Sequence, residues 1–299
     1  MILFYIIVRV RLVLDFSLMK EQLVYSLPFG FAVALQLFSN YFDKFVCIRM
    51  LTPTDYAIYG IAFLSIPGVS QIYDSLCQVN IVNMSNSFRC GRIEEILPQY
   101  GNFVIKTFSF SVPVIFVVSL YAEEIMNFLY TSSYVAAAPY FRLYSLTFLA
   151  SMFGAGTILR SMGKTNMSLY AFLITCILGL PSTYFLVTSF GTSGAIWGAF
   201  INIMLPRFIQ MGFEIYVTRS GLLHFLPWRK IFEIFIVSIV LHIPLFVLKL
   251  VVCQHIVVCI ILGAVYVLLV YMVLLKKNLF IVDKEKINLM LKKTKLWIS

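Results

Sequence analysis

The chain has 299 residues, 61% hydrophobic and 12% charged, with a formal net charge of +10 and a mean hydropathy of +0.93. That composition excludes a soluble domain, because too few polar residues remain to face water, and it makes lipid the medium. The basic excess sits in short loops and the tail, where membrane orientation requires it, so nucleic acid is excluded as a partner.

Residues 1–16 are apolar but too short to span, and Arg9 and Arg11 interrupt the run rather than precede it. They predict an interfacial helix or the remnant of a preceding span, not a cleavable signal. A hydrocarbon core about 30 Å thick takes about 20 largely apolar residues to cross. Eight windows meet that length: 24–47, 56–82, 98–121, 136–158, 167–190, 193–217, 230–249 and 251–275, here helices one to eight. The predicted fold class is therefore an all-α integral membrane protein with about eight transmembrane helices.

Loop charges orient this map. Arg9, Arg11 and Lys20 precede helix one, Arg89 and Arg92 follow helix two, Arg160 and Lys164 follow helix four, and Arg219, Arg229 and Lys230 separate helices six and seven. Lys276, Lys277, Lys284, Lys286, Lys292, Lys293 and Lys295 follow helix eight, which places 17 of the 23 basic residues on one side. The opposite side has Lys44, Arg49 and Lys249. By the positive-inside rule the crowded side, with both termini, is cytoplasmic.

Proline recurs through the windows, as Pro28, Pro67, Pro113, Pro139, Pro181, Pro206 and Pro244 in helices one to seven. Each removes a backbone donor and tends to bend its helix, a pattern that transporters use to line cavities and move. Gly194 and Gly198, four apart in GTSGAIWGA, and the Gly154–Ala155–Gly156 run read as sites of close helix packing. The six cysteines are scattered and mostly sit in apolar runs, where they act as small hydrophobes. No metal site follows from them or from His224, His242 and His255, whose spacing fits no ligand set.

Helical spacing gathers the remaining polar residues into three stripes: Gln36, Asn40 and Asp43 in helix one; Gln71, Asp74 and Gln78 in helix two; Arg207, Gln210 and Glu214 in helix six. A charge near the bilayer centre costs at least about 2.5–3.5 kcal/mol, so such faces turn to a bundle interior or a wet cavity. Asp74 and Arg207 are the deepest, roughly 12–15 Å from the cytoplasmic ends of their helices. Lys106 and Arg142 lie about two turns in, and Asp43 and Lys44 about one, where long side chains also reach headgroups. Glu214 and Glu233 read as interfacial, and the pairs Glu94–Glu95 and Glu123–Glu124 as solvated loop charge. A cavity carrying Arg142, Arg207 and Lys106 suits an anionic ligand, since guanidinium pairs with phosphate through two parallel hydrogen bonds. Asp74 and Asp43 are the candidates for ion coupling. The competing reading is a static Asp–Arg pair that holds helices together. No motif for covalent or nucleotide-driven chemistry is present, so neither an enzyme nor a cofactor is expected.

Ordered motifs carry a resemblance: KEQLVYSLPFG at 20–30, the Asp43–Lys44 pair, YAIYG at 56–60, FLYTSSYVAAAPYFRLYSL at 128–146, SMGK at 161–164 and GTSGAIWGA from Gly191. In this order they resemble the bacterial polysaccharide flippases, including O-antigen flippases, of the multidrug/oligosaccharidyl-lipid/polysaccharide exporter superfamily. The resemblance implies export of undecaprenyl-pyrophosphate-linked oligosaccharide across the inner membrane for surface polysaccharide such as lipopolysaccharide. It also implies two six-helix lobes around a cationic cavity. Residues 23–220 resemble one lobe, more like the carboxy-terminal one, preceded by a short segment at 1–22 and followed by two further helices and a basic tail at 221–299. One lobe cannot enclose the family's cavity, so the resemblance implies a homodimer or a separate partner lobe, or else an inactive truncated flippase. The other readings are an ion-coupled drug or cation antiporter and a membrane-embedded polysaccharide polymerase. The latter fits poorly, because the longest outer loop is only 122–135.

Overall fold

The computed structural model describes residues 16–64, 68–251 and 256–279. The segment 1–15 and the tail lysines from Lys284 onward lie outside the described residues, as does Pro67. The chain runs through α1 (Phe16–Met50), α2 (Pro53–Ala62), α3 (Val69–Arg89), α4 (Ile96–Leu120), α5 (Ala122–Tyr130), α6 (Ala138–Ser151) and α7 (Thr157–Ser161). It continues through α8 (Thr165–Thr218), α9 (Leu222–Phe225), α10 (Trp228–Val251) and α11 (Ile256–Lys276). Short 3-10 turns at Ile93–Glu95 and Ser132–Ala137 complete the order, and no strand occurs among the described residues. Among the described residues, five helical stretches are long and apolar enough to cross a membrane: Met19–Met50, Ile93–Leu120, Thr165–Thr218, Trp228–Val251 and Ile256–Lys276.

The 54-residue α8 would reach about 80 Å if straight. It is instead folded back at Gly191, whose φ of 57° and ψ of −132° leave the helical region. Asn202 Nδ2 donates to Thr183 Oγ1 at 2.8 Å. A side chain at Gly198 would press on Thr183, and one at Gly194 would run into the Leu186 carbonyl. Partners thus recede from Gly191 in step on both sides, which makes two antiparallel limbs, here the first and second limbs of α8. They coincide with sequence windows five and six, and the glycine spacing does the close packing expected of it.

Contact registers give the relative directions of the other helices. Thr165 Oγ1 donates to the Tyr25 carbonyl and Cys176 Sγ to the Leu35 carbonyl, at sequence separations of 140 and 141, so α1 runs parallel to the first limb. Tyr140 meets Ser193 and Ile158 meets Glu214 at separations of 53 and 56, so α6 and α7 run parallel to the second limb. Phe108 packs on Phe235 and Phe116 on His242, while Lys249 reaches the Leu120 carbonyl; α4 and α10 are parallel. Ser109 donates to the Leu279 carbonyl, Tyr271 to the Phe110 carbonyl, and Gly263 sits against Val117; α4 and α11 are antiparallel. Each of these pairs has the relative sense that successive crossings would impose.

Two sequence windows are not continuous helices. The second divides into α2 and α3, with Gly68 at φ 83° and its N–H donated to the Gln71 side chain at 2.8 Å. The fourth divides into α6 and α7 at Gly154 and Gly156, whose φ values of 61° and 88° are left-handed. These glycines therefore end a helix as well as admitting Phe103 and Gln210 closely. Pro139 falls in the first turn of α6, where its missing donor costs nothing, rather than bending a span.

The break at 154–156 explains a departure from the sequence reading. Glu214 was expected at the interface, yet it is fully buried, with 0% of its surface exposed. Its Oε1 accepts the Ile158 N–H at 2.8 Å, supplying the partner that the interrupted helix lost. Glu233, by contrast, pairs with exposed Arg229 at 3.2 Å, as an interfacial residue would.

The main apolar core surrounds α4, where Tyr100, Phe103, Phe108 and Val112 meet Phe225, Ile231, Ile234 and Tyr266. A second cluster joins α1, α2 and α8 through Val46, Cys47, Tyr59, Val187, Ala195 and Ala199. Gly194→Ala is expected to destabilise the protein by about 1–3 kcal/mol through overpacking. Gly212→Ala, which meets open space, is expected to stabilise it by about 0.5–1 kcal/mol; detergent unfolding titrations of the two variants measure the difference.

Candidate functional site

A cavity of about 300 Å³ opens between α1, α2, α6 and the two limbs of α8. The polar stripe of α1 lines it: Asp43 is 7% exposed, while Gln36 and Asn40 are exposed. Asp43 accepts hydrogen bonds from the Lys44 N–H at 2.7 Å and from the Tyr59 hydroxyl. The chain turns at Leu51 and Thr52, where the Thr52 side chain caps α2 by accepting from the Asp55 N–H at 3.2 Å. That turn swings Tyr59 back over Asp43. The Lys44 side chain is exposed, with its ammonium 5.1 Å from the centre of the Tyr41 ring.

Opposite α1, the second limb of α8 contributes Asn202, Pro206 and Arg207, and the first limb contributes Phe172 and Thr175. Arg207 is half-buried and donates to the Ile203 carbonyl one turn back. Among the described residues no carboxylate lies within 4.0 Å of its guanidinium. Tyr144 lines the same cavity. Two further buried oxygens in the lining, Ser39 Oγ and Asn202 Oδ1, have no hydrogen-bond partner among the described residues. The cavity thus holds an acidic group on the α1 wall and an unpaired cation on the α8 wall, with an unsatisfied oxygen on each.

Of the residues singled out by sequence, Asp43 and Arg207 are brought into this one cavity. Asp74 is exposed on α3, as are Gln71 and Gln78, outside the cavity. Lys106 is half-buried on α4 and forms no ion pair among the described residues. Arg142 donates to the Ser119 carbonyl at 3.0 Å and pairs with Glu123 at 2.8 Å, tying α6 to α4 and α5 away from the cavity. Tyr59, Asn202, Ser39 and Thr175 carried no sequence signal, because single polar residues set no period. Extending the Arg207–Gln210–Glu214 stripe back by one turn would have reached the neighbourhood of Asn202.

Of the Glu123–Glu124 pair, read as solvated loop charge, Glu124 is corrected, while Glu123 keeps 54% of its side chain exposed. Both residues lie in the first turn of α5, and each holds a different cation. Glu123 takes Arg142, while Glu124 takes Lys249 at 2.8 Å, with only 16% and 9% of the Lys249 and Glu124 side chains exposed. Lys249 also donates to the Leu120 carbonyl at 2.7 Å. This bridge fastens the end of α10 to the α4–α5 corner.

Comparison with protein-family models, curated proteins and solved structures gives no match. Removing one partner of a buried pair strands the other charge, so Lys249→Met is expected to cost about 3–5 kcal/mol. The double variant Lys249→Met with Glu124→Leu should recover most of that loss in the same unfolding measurement.

Proposed function

We propose that the chain is one lobe of a flippase that exports undecaprenyl-pyrophosphate-linked oligosaccharide for O-antigen or related surface polysaccharide across the bacterial inner membrane. The observation that carries this reading is the polar cavity between α1 and α8, which holds Asp43 and an Arg207 with no acidic partner among the described residues. A static bundle has no use for an uncompensated guanidinium there. The resemblance of the ordered motifs supplies the substrate class.

In this proposal the chain crosses the bilayer eight times with both termini cytoplasmic, α2 with α3 and α6 with α7 forming interrupted crossings. The alternating directions of the packed helices and the loop lysines and arginines support it. Arg207 contacts the pyrophosphate or an acidic sugar, with Lys106 along the same route in the assembled protein, while Arg142 stays paired with Glu123. Asp43, braced by Tyr59 in a cavity that also carries the unsatisfied oxygens of Ser39 and Asn202, is the coupling group for a proton or monovalent cation. The polar residues Gln36, Asn40, Gln71, Asp74 and Gln78, all exposed in the single chain, then face a second lobe or the water between lobes, supplied by a second copy or by a separate partner. A second reading, an ion-coupled drug or cation antiporter, is favoured by the same oxygen set around Asp43.

Proteoliposomes holding the chain, alone and with any co-purified partner lobe, are expected to move fluorescent lipid-linked oligosaccharide between leaflets. Lack of movement in both preparations rejects the proposal. Losing a charge-assisted hydrogen bond of about 1.5–3 kcal/mol predicts that Arg207→Ala slows transport roughly ten- to a hundredfold with membrane insertion intact. If insertion falls in parallel, Arg207 is structural. Efflux of a cationic dye that is lost in Asp43→Asn, without oligosaccharide movement in the unmodified chain, selects the antiporter.

A further inference from the structure

On the basic face of the molecule a second and larger cavity, of about 600 Å³, lies between the start of α1, the end of α3 and the turn from α7 to α8. Two arginines from different elements line it, Arg89 in the last turn of α3 and Arg160 near the end of α7. Neither has a carboxylate within 4.0 Å among the described residues. Glu21 on the rim is exposed and pairs with neither, so the charged lining sums to one positive charge. Neutral hydroxyls of Tyr25, Ser85 and Ser161 share the walls.

Arg160 is held in place from two sides. Its carbonyl accepts from the Tyr25 hydroxyl at 3.4 Å, and its guanidinium lies 4.8 Å from the centre of the Phe29 ring. That stacking removes Nε from solvent, yet Nε has no acceptor among the described residues. The terminal guanidinium nitrogens remain at the cavity without an acidic partner among the described residues, and such an edge is shaped to take two oxygens of one tetrahedral anion. At a membrane surface the most abundant such anion is the phosphate of a lipid headgroup.

We propose that the groove between Arg89 and Arg160 is a phosphate-binding site, fitted to a singly charged phosphodiester that neutralises its net positive charge. It is separate from the cavity at Asp43 and Arg207, and it stands whether or not the chain transports anything. An anionic lipid bound there would fill the groove with its headgroup and lay its tails along the exposed apolar flank formed by Leu23, Val24 and Leu27 of α1.

Native mass spectrometry of the full chain, titrated in detergent with phosphatidylglycerol and with phosphatidylcholine, tests the site. Tighter binding of phosphatidylglycerol is expected, with about a tenfold loss of its affinity in Arg89→Gln/Arg160→Gln, in line with the loss of charge-assisted bonds. Arg92→Gln, whose arginine is paired with Glu95 at 3.1 Å outside the groove, is expected to bind as the unmodified chain does. Displacement of the lipid by millimolar inorganic phosphate identifies the phosphate group alone as the ligand; failure to displace it identifies the intact lipid. Unchanged affinity in the double variant, or equal binding of the two lipids, overturns the proposal. Should the double variant not fold, Arg89→Gln alone changes an exposed residue and is expected to lose about threefold; no loss in that variant is equally decisive against the site.

Discussion

In a hydrocarbon medium no water repairs a broken backbone hydrogen bond, so every amide must find its partner within the chain. That constraint explains why the described residues are helical and why the interruptions occur where they do. At Gly68 the freed N–H goes to Gln71. At Ile158 it goes to the carboxylate of Glu214, brought from a different helix. A helix can stop inside such a bundle only where a polar side chain already waits for it, which is how a glutamate comes to be wholly enclosed.

The same scarcity of water governs the charges. Lys249 with Glu124 and Arg142 with Glu123 are matched at the α4–α5 corner and act as fasteners. Arg207 and Arg160 have no acidic partner within 4.0 Å among the described residues, and each borders a cavity. The paired charges thus join helices, whereas these two unpaired arginines line cavities.

Much of this was legible from the order of residues. Apolar length located α1, α4, both limbs of α8, α10 and α11 to within several residues, because a span is set by bilayer thickness. Helical spacing singled out Asp43 and Arg207, because a stripe is a property of one segment. Interruptions were harder to read. Left-handed backbone at Gly154 and Gly156 leaves no trace in composition, and the same glycines fit a packing motif equally well. Pairings across the fold were invisible for another reason: Glu124 and Lys249 are 125 residues apart, and nothing local to either announces the other. Glu214 looked interfacial because its depth was counted along one helix, whereas its burial is made by the end of another.

The grip of Glu214 on Ile158 has a mechanical side. Ile158 stands two residues before Arg160 on the short α7, and Glu214 stands two turns beyond Arg207 on the same limb of α8. An axial slide or tilt of that limb therefore tows α7 with it, as a coupling rod moves its crank, because sliding past would abandon an amide in the dry interior. The stretches of chain that carry the two arginine-bearing hollows are thus joined through the Glu214 carboxylate.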